Sequence, residues 1–353
     1  MGFNRSILMN RSPVYHCFVG IDIAAKTFVA AYAEPGHAAS SPRTFDQTEA
    51  GFAAFQAYLP ATILPTQILI AMEATGSYWI RLAVTLHQAG YAVAVINPKH
   101  IHNFAKSLPR RAKTDALDAD VLLRFATERQ PSCWTPPPTV YHELRQRLLA
   151  RDALLAMRTQ ARNQQHALSQ WPVVVAEVTA HFNTVLAALD TQLAMLEREI
   201  TTTMQLGDWA ASATLLLSIP GIGLHATAWL LVSTLNFTLC ATPEAAVAYA
   251  GLNPLARESG TSIRGRPRVG RGGNARLRTV LYMATLSASR YNPPIQALYT
   301  RLRERGKAVK VARCAAARKL IHLAWAIVKT GQPFDPGYQQ KLREHRVMVA
   351  ITD

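Results

Sequence analysis

The chain has 353 residues, enough for two or three domains with a sizeable buried core. Its formal charge of +16 and pI near 10.1 point to a polyanionic partner, and nucleic acid leads because the basic residues cluster with glycines rather than along an amphipathic membrane helix. The four cysteines, Cys17, Cys133, Cys240 and Cys314, are far apart with no Cys-x-x-Cys pair, which argues against a disulfide framework or a zinc module and fits a reducing cytoplasm.

The N-terminal residues lack the apolar stretch of a signal peptide. Residues 14–98 then alternate strand and helix signals. Val14–Ile23 and Thr27–Ala33 are β-rich runs, with a weaker one at Arg43–Asp46. Thr48–Leu59 has helical spacing, Ile68–Glu73 reads as a buried strand, Tyr78–Gln88 as an amphipathic helix closed by Gly90, and Tyr91–Ile96 as a further strand. Three strands, then helix, strand, helix, strand and a final acidic helix predict an α/β domain with a mixed sheet, which is the element order of the ribonuclease H-like fold.

Four acidic residues stand out here. Asp22 closes the apolar run Val19–Ile23, and Glu73 closes Ile68–Glu73, each at a strand's C-terminal end, where a sheet presents its active site. Asp115 and Asp118 stand three apart at the start of the acidic helix and share a face, whereas Asp120 lies off it and reads as solvated. An exposed helix start also favours aspartate through the dipole. If the four carboxylates converge, their repulsion requires cations, so the set predicts bound Mg²⁺, the usual device for cutting or joining phosphodiesters. Pro131 to Pro138 ends this domain, placed at 14–130.

From Tyr141 to about Met204 the pattern is helical, with a break at Trp171-Pro172 and an apolar stripe through Val175, Val178, Phe182, Val185 and Leu189. Two long helices at 141–205 predict an antiparallel arm or a dimerising coiled coil, and a plain helical spacer fits the same pattern. Between Trp209 and Pro243 there is no Asp, Glu, Lys or Arg, but Pro220, Gly221, Gly223 and His225 interrupt the run, so two buried helices are expected rather than a membrane span, and the chain reads as soluble.

The third region, 210–335, reads as mainly helical. Pro220-Gly221-Ile222-Gly223 between two apolar helices looks like a helix-hairpin-helix turn, whose glycines would bare backbone N–H groups to a DNA phosphate; a tight packing corner would need the same residues. Between Arg257 and Arg278 stand seven arginines (257, 264, 266, 268, 271, 276, 278) against one acid, Glu258, interleaved with glycines. That is expected to be a mobile cationic loop in phosphate contact. Ser259 lies in it, and composition alone would not select it as a nucleophile. A further basic stretch runs from Arg301 to Lys319.

Taken together, the chain resembles the IS110-family transposases. The matching segments are Gly20-Ile21-Asp22, Met72-Glu73-Ala74-Thr75-Gly76, Lys113-Thr114-Asp115 with Asp118-Ala119, Ile219-Pro220-Gly221-Ile222-Gly223, Gly251-Leu252-Asn253-Pro254, Ser259-Gly260 and Gly273-Asn274-Ala275-Arg276-Leu277-Arg278, in the family's order over residues 14–335. One departure is Val269-Gly270-Arg271, where the family often has Ile-Ser-Lys; Arg271 keeps the charge.

The resemblance implies a RuvC-like domain with Asp22, Glu73, Asp115 and Asp118 as its acidic set, a coiled-coil linker, and a C-terminal transposase domain with Ser259 as nucleophile. It further implies donor and target DNA, a structured guide RNA, and homodimers that pair into a tetramer. Because an arm separates the two half-sites in the chain, they are expected to meet between protomers. Gly221, Gly223, Arg264, Arg266, Arg268, Arg271, Arg276 and Arg278 are the expected nucleic-acid contacts. Serine attack would conserve bond energy in a phosphoserine ester, so strands could be resealed without ATP. Two other readings stay open: a Holliday-junction-type nuclease that uses water and not Ser259, and a non-catalytic nucleic-acid-binding protein.

Overall fold

A computed structural model describes residues 14–108, 115–259, 263–270 and 272–338, and for 115–117, 255–259 and 263–268 the backbone alone. The chain divides into two compact units, residues 1–136 and 137–353.

The first unit is built on β1 (Cys17–Ile23), β2 (Thr27–Ala33), β3 (Arg43–Asp46), α1 (Glu49–Tyr58), β4 (Ile68–Glu73), α2 (Trp79–Gln88), β5 (Ala92–Ile96), α3 (Pro98–Ser107) and α4 (Asp115–Arg129). The five strands form one mixed sheet in the order β3-β2-β1-β4-β5, with β2 antiparallel to both β1 and β3, and β4 and β5 parallel to β1. Strand alternation divides the core. Val19, Ile21, Phe28, Ile70 and Met72 pack on one face with Phe52, Phe55 and Leu82 from α1 and α2. Phe18, Leu69, Ala71 and Ala94 pack on the other with Phe104, Leu122 and Leu123 from α3 and α4.

The expected strands are present, β1 starting three residues later than the sequence suggested. Thr48 caps α1 by accepting a bond from the Gly51 N–H at 3.1 Å. The helix α3 was not expected. Asn97 caps it and Pro98 opens it, but the buried Ile101 and Phe104 are too few to make a stripe in the sequence.

The second unit contains α5 (Thr139–Leu168), α6 (Ala176–Leu206), α7 (Ala210–Leu217), α8 (Leu224–Thr234), α9 (Pro243–Tyr249), β6 (Pro254–Ser259), β7 (Ile263–Val269), α10 (Ala275–Tyr291), α11 (Pro293–Glu304) and α12 (Val309–Thr330). The long helices α5 and α6 run antiparallel as the arm. Polar pairs zip them: Arg147 to Glu199 at 3.3 Å, Arg151 to Glu197 at 3.0 Å and Arg158 to Asp190 at 2.8 Å. The root of this arm shares a core with the helices that follow, because Val140, Leu144, Leu148, Ile200 and Met204 are buried with Trp229, Leu230, Leu281 and Leu320. The far end is different: Trp171, Val173, Val174 and Val175 are exposed.

The arginine-rich segment is not the loop the sequence suggested. It is an antiparallel hairpin, with Pro254 opposite Val269 at its root and Ser259 opposite Ile263 at its outer end. The run Ile263-Arg264-Gly265-Arg266-Pro267-Arg268-Val269 has period two, but glycine and proline are poor strand formers and mask it. Among the described residues no helix is long and apolar enough to cross a membrane.

Candidate active site and nucleic-acid interface

Asp22 and Glu73 are brought side by side. In the parallel pairing of β1 and β4, Ile21 stands opposite Met72, so the next residues of the two strands are Asp22 and Glu73. Both have the parity of Phe18, Leu69 and Ala71, which puts them on the sheet face covered by α3 and α4. Both are half-buried.

Gly20 decides how close α4 comes. A Cβ at Gly20 would lie 2.1 Å from the Ala119 carbonyl oxygen and 2.2 Å from the Leu123 nitrogen, so the helix backbone rests directly on the strand. The stripe that meets the sheet, Ala119, Leu122, Leu123 and Ala126, continues one turn towards the helix N-terminus at positions 115 and 118. Asp118 is half-buried there, and the Asp115 side chain lies outside the described residues. Asp120, expected to be solvated, is also only half-exposed. Thr75, which the sequence did not single out, donates its hydroxyl hydrogen to Glu73 Oε1 at 2.6 Å and orients that carboxylate. Among the described residues no three His, Cys, Asp or Glu side chains stand close enough to form a metal site on their own. Asp22 and Glu73 nonetheless present two adjacent carboxylates at the strand ends, and carboxylate oxygens are the donors a hard cation takes.

In the second unit Ser259 ends β6, with its side chain and all of residues 260–262 outside the described residues. The pairing slips inside the hairpin: Leu255 stands opposite Arg268 and Arg257 opposite Gly265, so three residues of β7 step against two of β6 and simple alternation is broken between positions 265 and 268. The side chains of 264, 266 and 268, like the whole of Arg271, also fall outside the described residues. The root of the hairpin is well defined. Gly251 and Gly273, at φ +66° and +80°, are pressed together so that a Cβ on Gly273 would lie 2.5 Å from the Gly251 nitrogen. Arg278 Nη1 donates to the Gly272 carbonyl at 2.8 Å, and the Asn274 N–H donates to the Tyr249 carbonyl at 2.7 Å. Arg278, expected to meet nucleic acid, therefore clamps the hairpin root. Arg276 likewise has protein partners, Asp152 at 2.9 Å and the Trp229 ring at 5.1 Å.

The two glycines of the α7–α8 turn part ways. Gly221, at φ +98°, abuts α10, where a Cβ would lie 2.5 Å from the Ala288 Cβ, and Asn292 Nδ2 donates to the neighbouring Pro220 carbonyl at 3.2 Å. Its glycine is needed for packing. Gly223 borders open space at the start of α8, which carries no side-chain cap.

Two family models match the chain: one described as Transposase, of the IS110 type with a DEDD set, over residues 19–170, and one described as Transposase IS116/IS110/IS902 family over residues 213–300. The pilin gene-inverting protein of Moraxella bovis is 32% identical over 325 residues, covering 90% of this chain and 97% of that relative. Its counterpart in Moraxella lacunata has the same identity and coverage. A 43.6 kDa protein of insertion element IS110 from Streptomyces coelicolor is 34% identical over 116 residues, 33% of this chain and 28% of that protein.

Proposed function

This chain belongs to the IS110 family of transposases and is a DNA recombinase, and from that premise we propose that it works with two groups of its own: the acidic set Asp22, Glu73, Asp115 and Asp118, and a serine nucleophile, Ser259. Support comes above all from the in-register placement of Asp22 beside Glu73 on the sheet face that α4 covers. The strand order β3-β2-β1-β4-β5 of the mixed sheet supports reading the first unit as a RuvC-like, ribonuclease H-like domain.

The four carboxylates would hold divalent cations, Mg²⁺ by the chemistry of the donors, and the ion would supply polarisation of the scissile phosphate and stabilisation of the leaving oxygen. Thr75 holds one Glu73 oxygen in place, which leaves the other to face a ligand. Ser259 forms a bond from Oγ to phosphorus as the bond from phosphorus to a sugar oxygen breaks. The serine proton is given up and the leaving oxygen takes one up. Attack on that ester by a sugar hydroxyl of another strand reverses the step and reseals the backbone. Arg264, Arg266, Arg268 and Arg271 bind phosphates through the positive field of the hairpin, with the N–H groups at Gly223 offering a further contact. The substrates are donor and target DNA, paired through a guide RNA, and the arm joins protomers into dimers and tetramers. The pilin gene-inverting relatives favour inversion of a DNA segment as one outcome of the same strand exchange.

The decisive experiment captures the covalent intermediate. Protein incubated with DNA of its native element and Mg²⁺ gives a denaturant-resistant adduct, mapped by mass spectrometry to Ser259. Ser259→Ala gives none while still binding DNA. An adduct lost in Ser262→Ala and kept in Ser259→Ala would move the nucleophile to Ser262, and cutting without any adduct would hand the role to water, as in a Holliday-junction-type nuclease.

A further inference from the structure

Asp152 takes no part in the chemistry proposed above, yet it sits at a junction of four helices. It lies on α5, its side chain is 20% exposed, and Oδ2 is 2.9 Å from Nη1 of Arg276 on α10. The Arg276 guanidinium also lies over the buried ring of Trp229 on α8, 5.1 Å from its centroid. On the other side Asp152 Oδ1 is 4.0 Å from Arg151, which pairs with Glu197 of α6 at 3.0 Å.

Arg276 is the second residue of α10, and the residues before it form the hairpin root. Asn274 caps the helix by accepting from the Leu277 N–H at 3.0 Å, and its own N–H holds Tyr249. Gly273 is pressed against Gly251. One end of this short run is thus tied to α5 and α8, and the other end carries β7.

We infer that Asp152 is a positioning residue for recombination: through Arg276 it fixes the first turn of α10, and with it the root of the hairpin that ends at Ser259. The inference rests on the reading of Ser259 as the nucleophile. A two-stranded hairpin magnifies angular error. Ser259 stands five residues beyond Pro254, about 17 Å at the rise of a strand, so a tilt of about 5° at the root carries the tip about 1.5 Å. The contact is an ion pair rather than an aligned hydrogen bond, with the carboxylate mostly desolvated and the guanidinium half-exposed, and it resists such a tilt better than a pair exposed on both sides.

The rival role for Arg276 is a phosphate contact. An open groove of about 690 Å³ along α5, lined by Thr159, Gln160, Asn163 and Gln164, leads to this same pair, so a phosphate lying there would compete with Asp152. The two roles predict opposite effects for one substitution. If Arg276 positions the hairpin, Asp152→Asn slows strand exchange and leaves DNA affinity alone. If Arg276 binds phosphate, Asp152→Asn frees it and tightens binding.

The test compares Asp152→Asn, Asp152→Glu, Arg276→Ala and Ser259→Ala in the full chain. Recombination is scored on a plasmid that carries the native element with its flanking DNA, affinity and its salt dependence are measured on duplex DNA, and thermal melting controls for folding. Asp152→Asn and Arg276→Ala are expected to lower recombination at least about tenfold, since misplacing a reacting group by about an ångström can cost up to about a hundredfold. Affinity stays within about twofold and the salt slope is unchanged. Asp152→Glu restores most of the activity, and the Asp152→Asn/Arg276→Ala double variant is no worse than either single one, as expected of residues that act as a pair. Tighter DNA binding by Asp152→Asn, a flatter salt slope in Arg276→Ala, or wild-type recombination by Asp152→Asn while Ser259→Ala is inactive overturns the inference alone. An active Ser259→Ala overturns it together with the serine reading.

Discussion

Asp22 and Glu73 stand on strands that are hydrogen-bonded on both edges and packed on both faces, whereas Ser259 stands at the outer end of a hairpin of two strands. Both arrangements depend on glycine to let backbones touch, Gly20 under α4 in the first unit and Gly251 against Gly273 in the second. The difference is in what each contact sets. Gly20 fixes the spacing between layers of a core, so the carboxylates inherit the rigidity of the sheet. The Gly251–Gly273 crossing fixes only a direction, which the hairpin then carries outward. On the function proposed above, the cation site would draw on the first kind of support, and a serine that must reach DNA on the second.

The largest test of that contrast is Gly20→Ala. The new Cβ meets backbone atoms of Ala119 and Leu123, which cannot turn aside as a flexible side chain could. The substitution is expected to cost about 3 kcal/mol, at the upper end of ordinary overpacking. Recombination is lost with α4 displaced, and thermal melting is lowered. Near-wild-type stability and activity would show that α4 does not rest on β1 as described. Gly273→Ala should cost less. It strains a residue at φ +80° and wedges the hairpin root, so recombination falls while half-saturation by Mg²⁺ stays unchanged. If Mg²⁺ dependence shifts instead, the two regions do not separate as described.

Much of the first unit was legible in the sequence because its elements obey simple periods. Ile68–Glu73 is a continuous apolar run ending in a carboxylate, and both the strand and the parity of Glu73 follow from it. Gly20 inside an apolar strand was a usable signal of close backbone approach that the sequence reading passed over. The hairpin was hidden by its own composition, since arginine at alternate positions with glycine and proline between resembles a charged loop. The partners of Arg276 and Arg278 were not legible at all. Asp152 lies on a distant helix and the Gly272 carbonyl belongs to the backbone, so the charge run in the sequence says nothing of which arginines are already paired.

A smaller effect is expected at Thr75, whose bond to Glu73 Oε1 trims the freedom of one carboxylate without adding a charge. Thr75→Val should raise the Mg²⁺ concentration for half-maximal recombination by about tenfold, the low end for loss of a partner that orients a ligand. Thr75→Ser keeps the hydroxyl and should stay near wild type. The serine hairpin is untouched by either change, so a loss of DNA affinity in Thr75→Val would point to a direct contact with substrate instead.

Acid should act most gently, and on the second unit. His142, His225 and His322 all lie there, and burial lowers the pKa of each from its ordinary 6.5. At His225 burial acts first and the nearby Arg151 adds to it, while Glu197, 3.6 Å away, and Asp152 pull the other way without reversing the result. The folded chain therefore holds these rings neutral, and the unfolded chain protonates them near pH 6.5. Their contribution to stability is complete above that pH and is lost as pH falls from 6.5 towards the depressed folded values. The melting temperature of the full chain should drop on going from pH 7.5 to 5.5, and His225→Gln, which cannot take up the proton, should show a shallower drop. An equal drop in that variant would mean that His225 is already accessible to protons in the fold, and that the root of the arm is wetter than its buried neighbours Leu144, Leu148 and Ile200 imply.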